Sequence, residues 1–430
     1  MPQASGGGVV TRLIVGLALA TLVNLCSAAG GAGQRMLSGE ELVREVLARH
    51  PGPQALAQAL AAAEARVGPA GALPDPVLGW AVAPETIGDE DLGTRQIWQI
   101  SQAIPWPGKL DLKREAAQAA SQAQAMDLES LRLQVVEQAR RQFGQWYLVH
   151  QALAINADDQ ALLRELGEVA TQLYASGRGT QQAVLQAGLR EVSLRREALE
   201  LVKRQRTIAA TINALRDQPV ETPLGAPASW PEPPGLPPLA VLIETAQARQ
   251  PALQALDARE RMYAHRAELA QRDRMPDLRL NLSHLGTLDP PEKRLQAGVS
   301  LNLPLNFDRR RQEVEAARAD VQRAHWAQRD LSGQVAAAVA GAHAQVQQSR
   351  QTLALYRNEL LPLARQNLAA AQADWQTGAG DFQAVVDAQQ QLLETRLGVE
   401  RARVEEWTAR AALATQVADP TLHLFQETRP

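Results

Sequence analysis

The side chains able to do chemistry are thinly spread along this 430-residue chain. Its seven histidines, His50, His150, His265, His284, His325, His343 and His423, include no pair three or four residues apart, and its five methionines do not cluster. A tight metal site built on one helix needs such spacing, so no sequence-local metal site is expected. There is no glycine-rich phosphate loop leading out of a strand, no GxSxG and no HExxH, so neither a cofactor nor catalysis is expected. Two groups remain. Cys26 is the only cysteine, which excludes an internal disulfide, and it ends an apolar run where a lipid could be attached. Asp387 belongs to a phrase written twice, and by itself it reads as a solvated carboxylate on a helix face.

The phrase is YASGRGTQQAVLQA at Tyr174 to Ala187 and WQTGAGDFQAVVDA at Trp375 to Ala388. Its glycines, Gly177, Gly179, Gly378 and Gly380, are turn formers first, because glycine reaches backbone conformations closed to other residues. Arg178, Thr180, Ala379 and Asp381 share the same two turns. On either side stand long helices. No proline occurs between Pro107 and Pro219, and Leu148, Ile155, Leu162 and Val169, then Leu194, Leu201, Ile208 and Leu215, recur at sevens. A helix from Lys109 to Ala175 would be roughly 100 Å long at 1.5 Å per residue. Its partner, Thr180 to about Arg216, is too short to pair with all of it, so another helix is needed, and residues 39 to 67 are the candidate. The second half repeats the plan with Val339, Val346, Leu353 and Leu360 in a helix from Arg309 to Trp375, which Pro362 should kink. Its shorter partner runs from Asp381 to Val417. The proline-dense stretch 219–238 reads as a linker.

Before each long helix the period drops to two. Leu278, Leu280 and Leu282 alternate with Arg279, Asn281 and Ser283. Leu295, Ala297, Val299, Leu301 and Leu303 alternate with Gln296, Ser300 and Asn302. The first half offers a weaker pair, with Trp98, Ile100 and Ile104 on one face. Strands are expected at 74–83, 94–104, 276–287 and 294–304. A sheet with one apolar face ordinarily walls a soluble core, but the long helices are committed to each other. In a secreted chain, such strands fit a transmembrane β-barrel with lipid outside and water inside. Four strands cannot close one, so several copies must contribute.

Residues 1–29 read as a secretory signal: Arg12, then the apolar run Leu13 to Leu25, then small residues. Cys26 fits a lipoprotein signal, except that Leu25 stands where a small residue is usual. Ordinary cleavage after Ala28 or Ala29 is the alternative. The domain plan is therefore signal peptide 1–29, first repeat 30–218 with hairpin 109–216, linker 219–238, second repeat 239–418 with hairpin 309–417, and tail 419–430. The fold class is mainly α with a small β part. Aromatics are only 4% of the residues, as in chains of long helices, and a net charge of -3 gives no broad basic field for nucleic acid.

Across essentially the whole mature chain, this plan and the paired phrases resemble the TolC-like outer-membrane efflux proteins. The stretch QISQAIPWPGKL, Gln99 to Leu110, looks most like their heavy-metal cation efflux branch, whose members work beside resistance-nodulation-division pumps. The resemblance implies a homotrimer, with twelve strands in one outer-membrane barrel and the helices in a tapered tunnel across the periplasm. It implies that the turn residues Gly177 to Thr180 and Gly378 to Asp381 meet a periplasmic adaptor linked to an inner-membrane pump, and that cargo passes untransformed. It implies that Asp387 narrows the periplasmic entrance as a ring of three carboxylates. A second acid found in the family one turn earlier is absent, the position being Ala384, and the first phrase has the uncharged Gln186. Drug efflux and a type I protein secretion duct are the alternative cargo readings. A secreted coiled-coil scaffold or a periplasmic adaptor is the alternative of another class, and the duplication argues against both.

Overall fold

The computed structural model describes residues 36–83, 95–229, 233–285 and 294–419. The expected signal segment, Cys26 and the end of the tail lie outside them. The first repeat runs α1 Gly39–Arg49, α2 Pro51–Ala65, β1 Val77–Ala83, β2 Arg95–Ile104, α3 Lys109–Ala175 and α4 Gln181–Leu215. The second runs α5 Leu239–Arg249, α6 Pro251–Arg272, β3 Leu278–Leu285, β4 Leu295–Leu301 and α7 Phe307–Leu355. It then passes through a π turn, Tyr356–Leu360, to α8 Leu361–Thr377 and α9 Phe382–Val417. Even the short helices repeat: α2 and α6 both begin on a proline, Pro51 and Pro251, where a missing N–H leaves nothing unsatisfied.

The four strands form one antiparallel sheet in the order β1-β2-β3-β4, and the β2–β3 pairing joins the two repeats. Its register places Leu78, Ile100, Leu282 and Ala297 side by side, with Trp80 opposite Trp98 and Leu280 opposite Val299, so the apolar residues share one face. Trp80, Trp98, Leu280, Leu282 and Val299 are all exposed there. The opposite face carries Gln99, Ser101, Asn281 and Ser300, and Asn281 Nδ2 donates to Ser300 Oγ at 3.2 Å. As expected, the strands separate an apolar face from a polar one.

Below the sheet the helices make two successive layers. Nearest the strands, α2, α3, α6 and α7 lie side by side, tied by Arg259 of α6 to Asp127 of α3 at 2.5 Å and by Arg323 of α7 to Tyr263 of α6 at 3.1 Å. Further on, the order is α4, α3, α9 and α8. Residues 39–65 do pack on α3, as expected, but α6 is a larger partner that the heptads did not reveal. The linker is anchored rather than loose: Trp146 Nε1 donates to Gly225 O, and Asn213 Nδ2 donates to Val220 O and Thr222 O.

Two expected seams need correction. In α3 the expected series is only partly buried: Ile155 is buried, Leu148 and Leu162 are half-buried and Val169 is exposed, whereas the row one residue on, Val149, Asn156, Leu163 and Ala170, with Ala152, Asp159 and Leu166 beside it, is buried throughout. Asn, Asp and Ala hold seam positions, so counting large apolar residues selects the neighbouring row. In the second hairpin Val339, Val346 and Leu353 are buried, but Leu360 is exposed. Just before Pro362, where a kink was expected, the helix passes through the π turn, in which Leu361 N–H donates to Tyr356 O, five residues back. Pro362 thereby falls in the first turn of α8, where its missing donor is harmless. The turn adds one residue of phase, and the seam resumes at Leu361 and the buried Leu368.

Candidate functional site

Each hairpin ends in the same turn, bond for bond. Gly177 N–H donates to Tyr174 O at 3.0 Å, and Arg178 and Gly179 both donate to Leu173 O at 2.9 Å. In the second tip Gly378 donates to Trp375 O at 3.1 Å, and Ala379 and Gly380 donate to Asp374 O at 2.9 and 3.0 Å. Gly177 and Gly378 have φ of +74° and +81°, the left-handed region in which glycine carries no steric penalty. Gly179 is required for another reason: a Cβ there would stand 2.9 Å from both Leu173 Cβ and the Tyr174 nitrogen.

The last residue of each turn caps the next helix. Thr180 Oγ1 accepts from Ala183 N–H at 3.2 Å, and Asp381 Oδ1 accepts from Ala384 N–H at 2.8 Å. Both are N-caps, a role the sequence reading missed although Thr and Asp before a helix signal it. Arg178, Gly177, Gly378 and Ala379 are exposed, so the tips present backbone, one guanidinium and little else.

The structure brings the remaining candidate, Asp387, into a bridge between the hairpins. Gln186 Nε2 of α4 donates to Gln383 Oε1 of α9 at 2.8 Å, and Gln383 Nε2 donates to Asp387 Oδ1 at 2.8 Å. Gln186 and Asp387 hold equivalent places in the two phrases, so the bridge links the matching positions of the repeats. Asp387 itself is exposed. Its i−4 spacing from Gln383 was the available signal, since such pairs meet on one helix face.

Deeper, where α3 packs against α9, lies a carboxylate that sequence reasoning did not single out. Asp159 of α3 is 2% exposed and accepts a hydrogen bond from Gln389 Nε2 of α9, itself 1% exposed. The Asp159 carboxyl is pushed up to about 6, chiefly by burial and in small part by Asp158, against the opposing pull of Arg396, Arg190 and the Gln389 bond. The Gln389 Oε1 atom is buried without a partner. Arg396 pairs with Asp158 at 2.6 Å and Arg190 with Glu197 at 3.8 Å, so both cations are shared with other acids. Among the described residues no group of His, Cys, Asp or Glu is arranged to hold a metal ion. No helix among them is long and apolar enough to cross a membrane.

Comparison with known proteins gives a consistent picture. Residues 242–418, almost the whole second repeat, match the family model described as outer membrane efflux protein. No curated protein sequence matches the chain. The outer-membrane channel OprN superposes with a TM-score of 0.75 at 18% identity, covering 88% of this chain and 89% of that one. The outer membrane protein VceC of Vibrio cholerae gives 0.75 at 15% identity, covering 89% and 96%. CusC gives 0.78 at 15% identity, covering 90% and 94%. At these identities what is shared is the fold, and it is shared over nearly the full length of both chains.

Proposed function

We propose that this chain, whose second repeat matches the outer membrane efflux family, is the exit duct of a tripartite efflux system. In this reading it closes as a homotrimer in the bacterial outer membrane and reaches through the periplasm to an adaptor and an inner-membrane pump. The observation that carries the reading is the sheet. It is antiparallel throughout, apolar on one face and polar on the other, and among the described residues neither β1 nor β4 has a partner on its outer side. Strands in hydrocarbon must have every backbone group paired, so the edges have to meet those of other copies. Antiparallel alternation lets β4 of one copy pair with β1 of the next. Two copies would give eight strands, a barrel that side chains fill; three give twelve, enough for a lumen.

The helical layers support the same closure. α4 is the outer member of the tip-side layer at one end and α8 at the other, and exposed apolar residues line both: Leu185, Leu189, Val192 and Leu199 on α4, Leu355, Leu360 and Leu363 around α8. They await the neighbouring copy. At the tips, exposed backbone and Arg178 form the adaptor-facing surface. Three copies of Asp387 form the cation-attracting entrance, held in orientation by Gln383 and, through it, Gln186. The stretch Gln99 to Leu110 favours heavy-metal cations as cargo, passed on without a tight site, since conduction requires that binding be weak enough to release.

Reconstitution of the mature protein in a planar bilayer tests this. Discrete cation-preferring pores are expected, and Asp387→Ala should change their conductance or lower the cation preference. Pores that ignore the substitution would keep the duct and remove the gate. No insertion, under conditions that fold a control barrel, would return the scaffold reading to first place.

A further inference from the structure

Just below the sheet, the ends of α6 and α7 and the β2–α3 connection enclose an open concavity of about 460 Å³. Trp106, Met275 and Val314 give it apolar surface, and Arg272, Arg274 and Arg318 give it charge. Arg272 is held in place: its Nη1 donates to Pro107 O at 3.1 Å, and its guanidinium lies over Gly108, where any Cβ would overlap it. Among the described residues none of these three arginines forms an ion pair, and three of the nearby acids are engaged elsewhere. Asp273 and Asp277 sit on Lys109 Nζ at 3.3 and 2.8 Å, and Glu313 takes both Arg309 and Arg310 at 2.9 Å.

The concavity opens on the apolar side of the sheet. Trp106 continues the outward alternation of Trp98, Ile100 and Ile104. Phe307, 76% exposed, continues that of Leu301, Leu303 and Leu305; seven residues on, Val314 is already buried at the floor of the concavity, and Arg318, one turn further along α7, is exposed. Three unneutralised guanidinium groups beside tryptophan, at the border of an apolar band, match the chemistry of a membrane interface. Indole rings settle at headgroup level there, and arginine forks bind phosphate oxygens in pairs.

We infer that this concavity binds the phosphate of a phospholipid headgroup from the leaflet nearer the helices. The inference rests on the outer-membrane reading above. Acyl chains would run up the apolar face past Trp106 and Met275, while Arg272, Arg274 and Arg318 hold the phosphate. A free phosphate ion offers the same oxygens without the chains, so the two sources can be separated.

The test uses the purified, detergent-solubilised full chain and dioleoylphosphatidylglycerol, with retained lipid counted by native mass spectrometry. One tightly held lipid per chain is expected. The double variant Arg274→Gln/Arg318→Gln should bind it roughly tenfold or more weakly, the scale of one lost charge-assisted bond. Millimolar inorganic phosphate should leave the lipid in place. Equal retention by the double variant overturns the inference, and full displacement by phosphate replaces the lipid site with an ion site. Bilayer recordings on the same samples separate the premises. Pores without retained lipid in the wild type overturn the lipid site and keep the duct, whereas no pores from the wild type overturn the duct itself.

Discussion

The two hairpins share a turn but not a way of holding it. The second tip is clamped by aromatic packing, with Trp375 and Phe382 at 5.0 Å between centroids and Phe382 buried. In the first, Tyr174 and Gln181 stand at the equivalent positions and both are exposed. The second hairpin reaches its tip through a π turn that shifts its seam by a residue, while α3 runs unbroken for 67 residues. Charge differs too: the second cap and the bridge end are Asp381 and Asp387, where the first has Thr180 and Gln186. A duplicated backbone has thus been given one aromatic-clamped tip with two acids and one plainer tip. Backbone geometry is fixed by glycine and a capping oxygen in both tips, whereas the aromatic clamp and the Asp387 charge are additions the turn itself does not need.

The sharpest way to break this contrast is Phe382→Ala. Removing a buried aromatic costs about 3–5 kcal/mol, so amide exchange across 375–386 should accelerate, while Gln181→Ala should leave the first tip within about 0.5 kcal/mol. Equal effects at both tips would mean that the aromatic clamp is not what distinguishes them.

Next is Asp159, which ties the hairpins together. Its carboxyl is raised above the ordinary value of 3.8 to about 6, so the folded chain keeps a proton that the unfolded chain loses. The stability tied to that proton is complete below about pH 4 and lost as pH rises through about 6. At one pKa unit per 1.36 kcal/mol the loss is up to about 3 kcal/mol. Asp159→Asn should remove this pH dependence and stabilise the chain at neutral pH, because its amide can both accept from Gln389 Nε2 and donate to the orphaned Oε1. Thermal melts from pH 4 to 8 measure both effects, and a wild type equally stable across that range would sink the account.

Gly398→Ala probes the π turn. The ring of Tyr356 lies where an alanine Cβ would go, and overpacking of this kind costs about 1–3 kcal/mol. The equivalent helix of the first repeat has no such turn, so the loss should be confined to exchange rates around residues 353–368. The smallest expected difference lies at the caps. Thr180→Ala should cost about 1 kcal/mol. Asp381→Ala should cost a few tenths of a kcal/mol more, because its charge also meets the helix dipole. High salt should shrink that excess, and amide exchange in the first turns of α4 and α9 reads it.

These differences mark where sequence reading succeeds. Both turns, the ends of the long helices to within about two residues and the faces of β2, β3 and β4 were legible, because glycine, the absence of proline and period-two alternation act locally. Ile155 apart, the deepest row of α3 was placed one residue early, because Asn156, Asp159 and Ala170 are invisible to a count of apolar positions. The π turn was hidden because Pro362 announces a disturbance but not the bonding that absorbs it. Of the candidate site, Asp387 and the tip residues could be named, whereas the Gln186–Gln383–Asp387 bridge and the Asp159–Gln389 contact join residues about 200 positions apart. Only packing puts them together.

Among the described residues β1 and β4 each have an unpaired outer edge, and on the proposed reading these edges would govern how the duct comes into being. A single chain displays one edge of each kind, and so does a row of two, because each joining event consumes one β1 edge and one β4 edge while the newcomer brings one of each. Growth of a row therefore leaves the exposed strand count unchanged, and only the closing contact brings it to zero. Assembly of that kind behaves as a threshold. Partial rings are scarce and short-lived, ring yield climbs steeply with chain concentration, and an excess of unclosed chains is the state most open to mispairing with other strands.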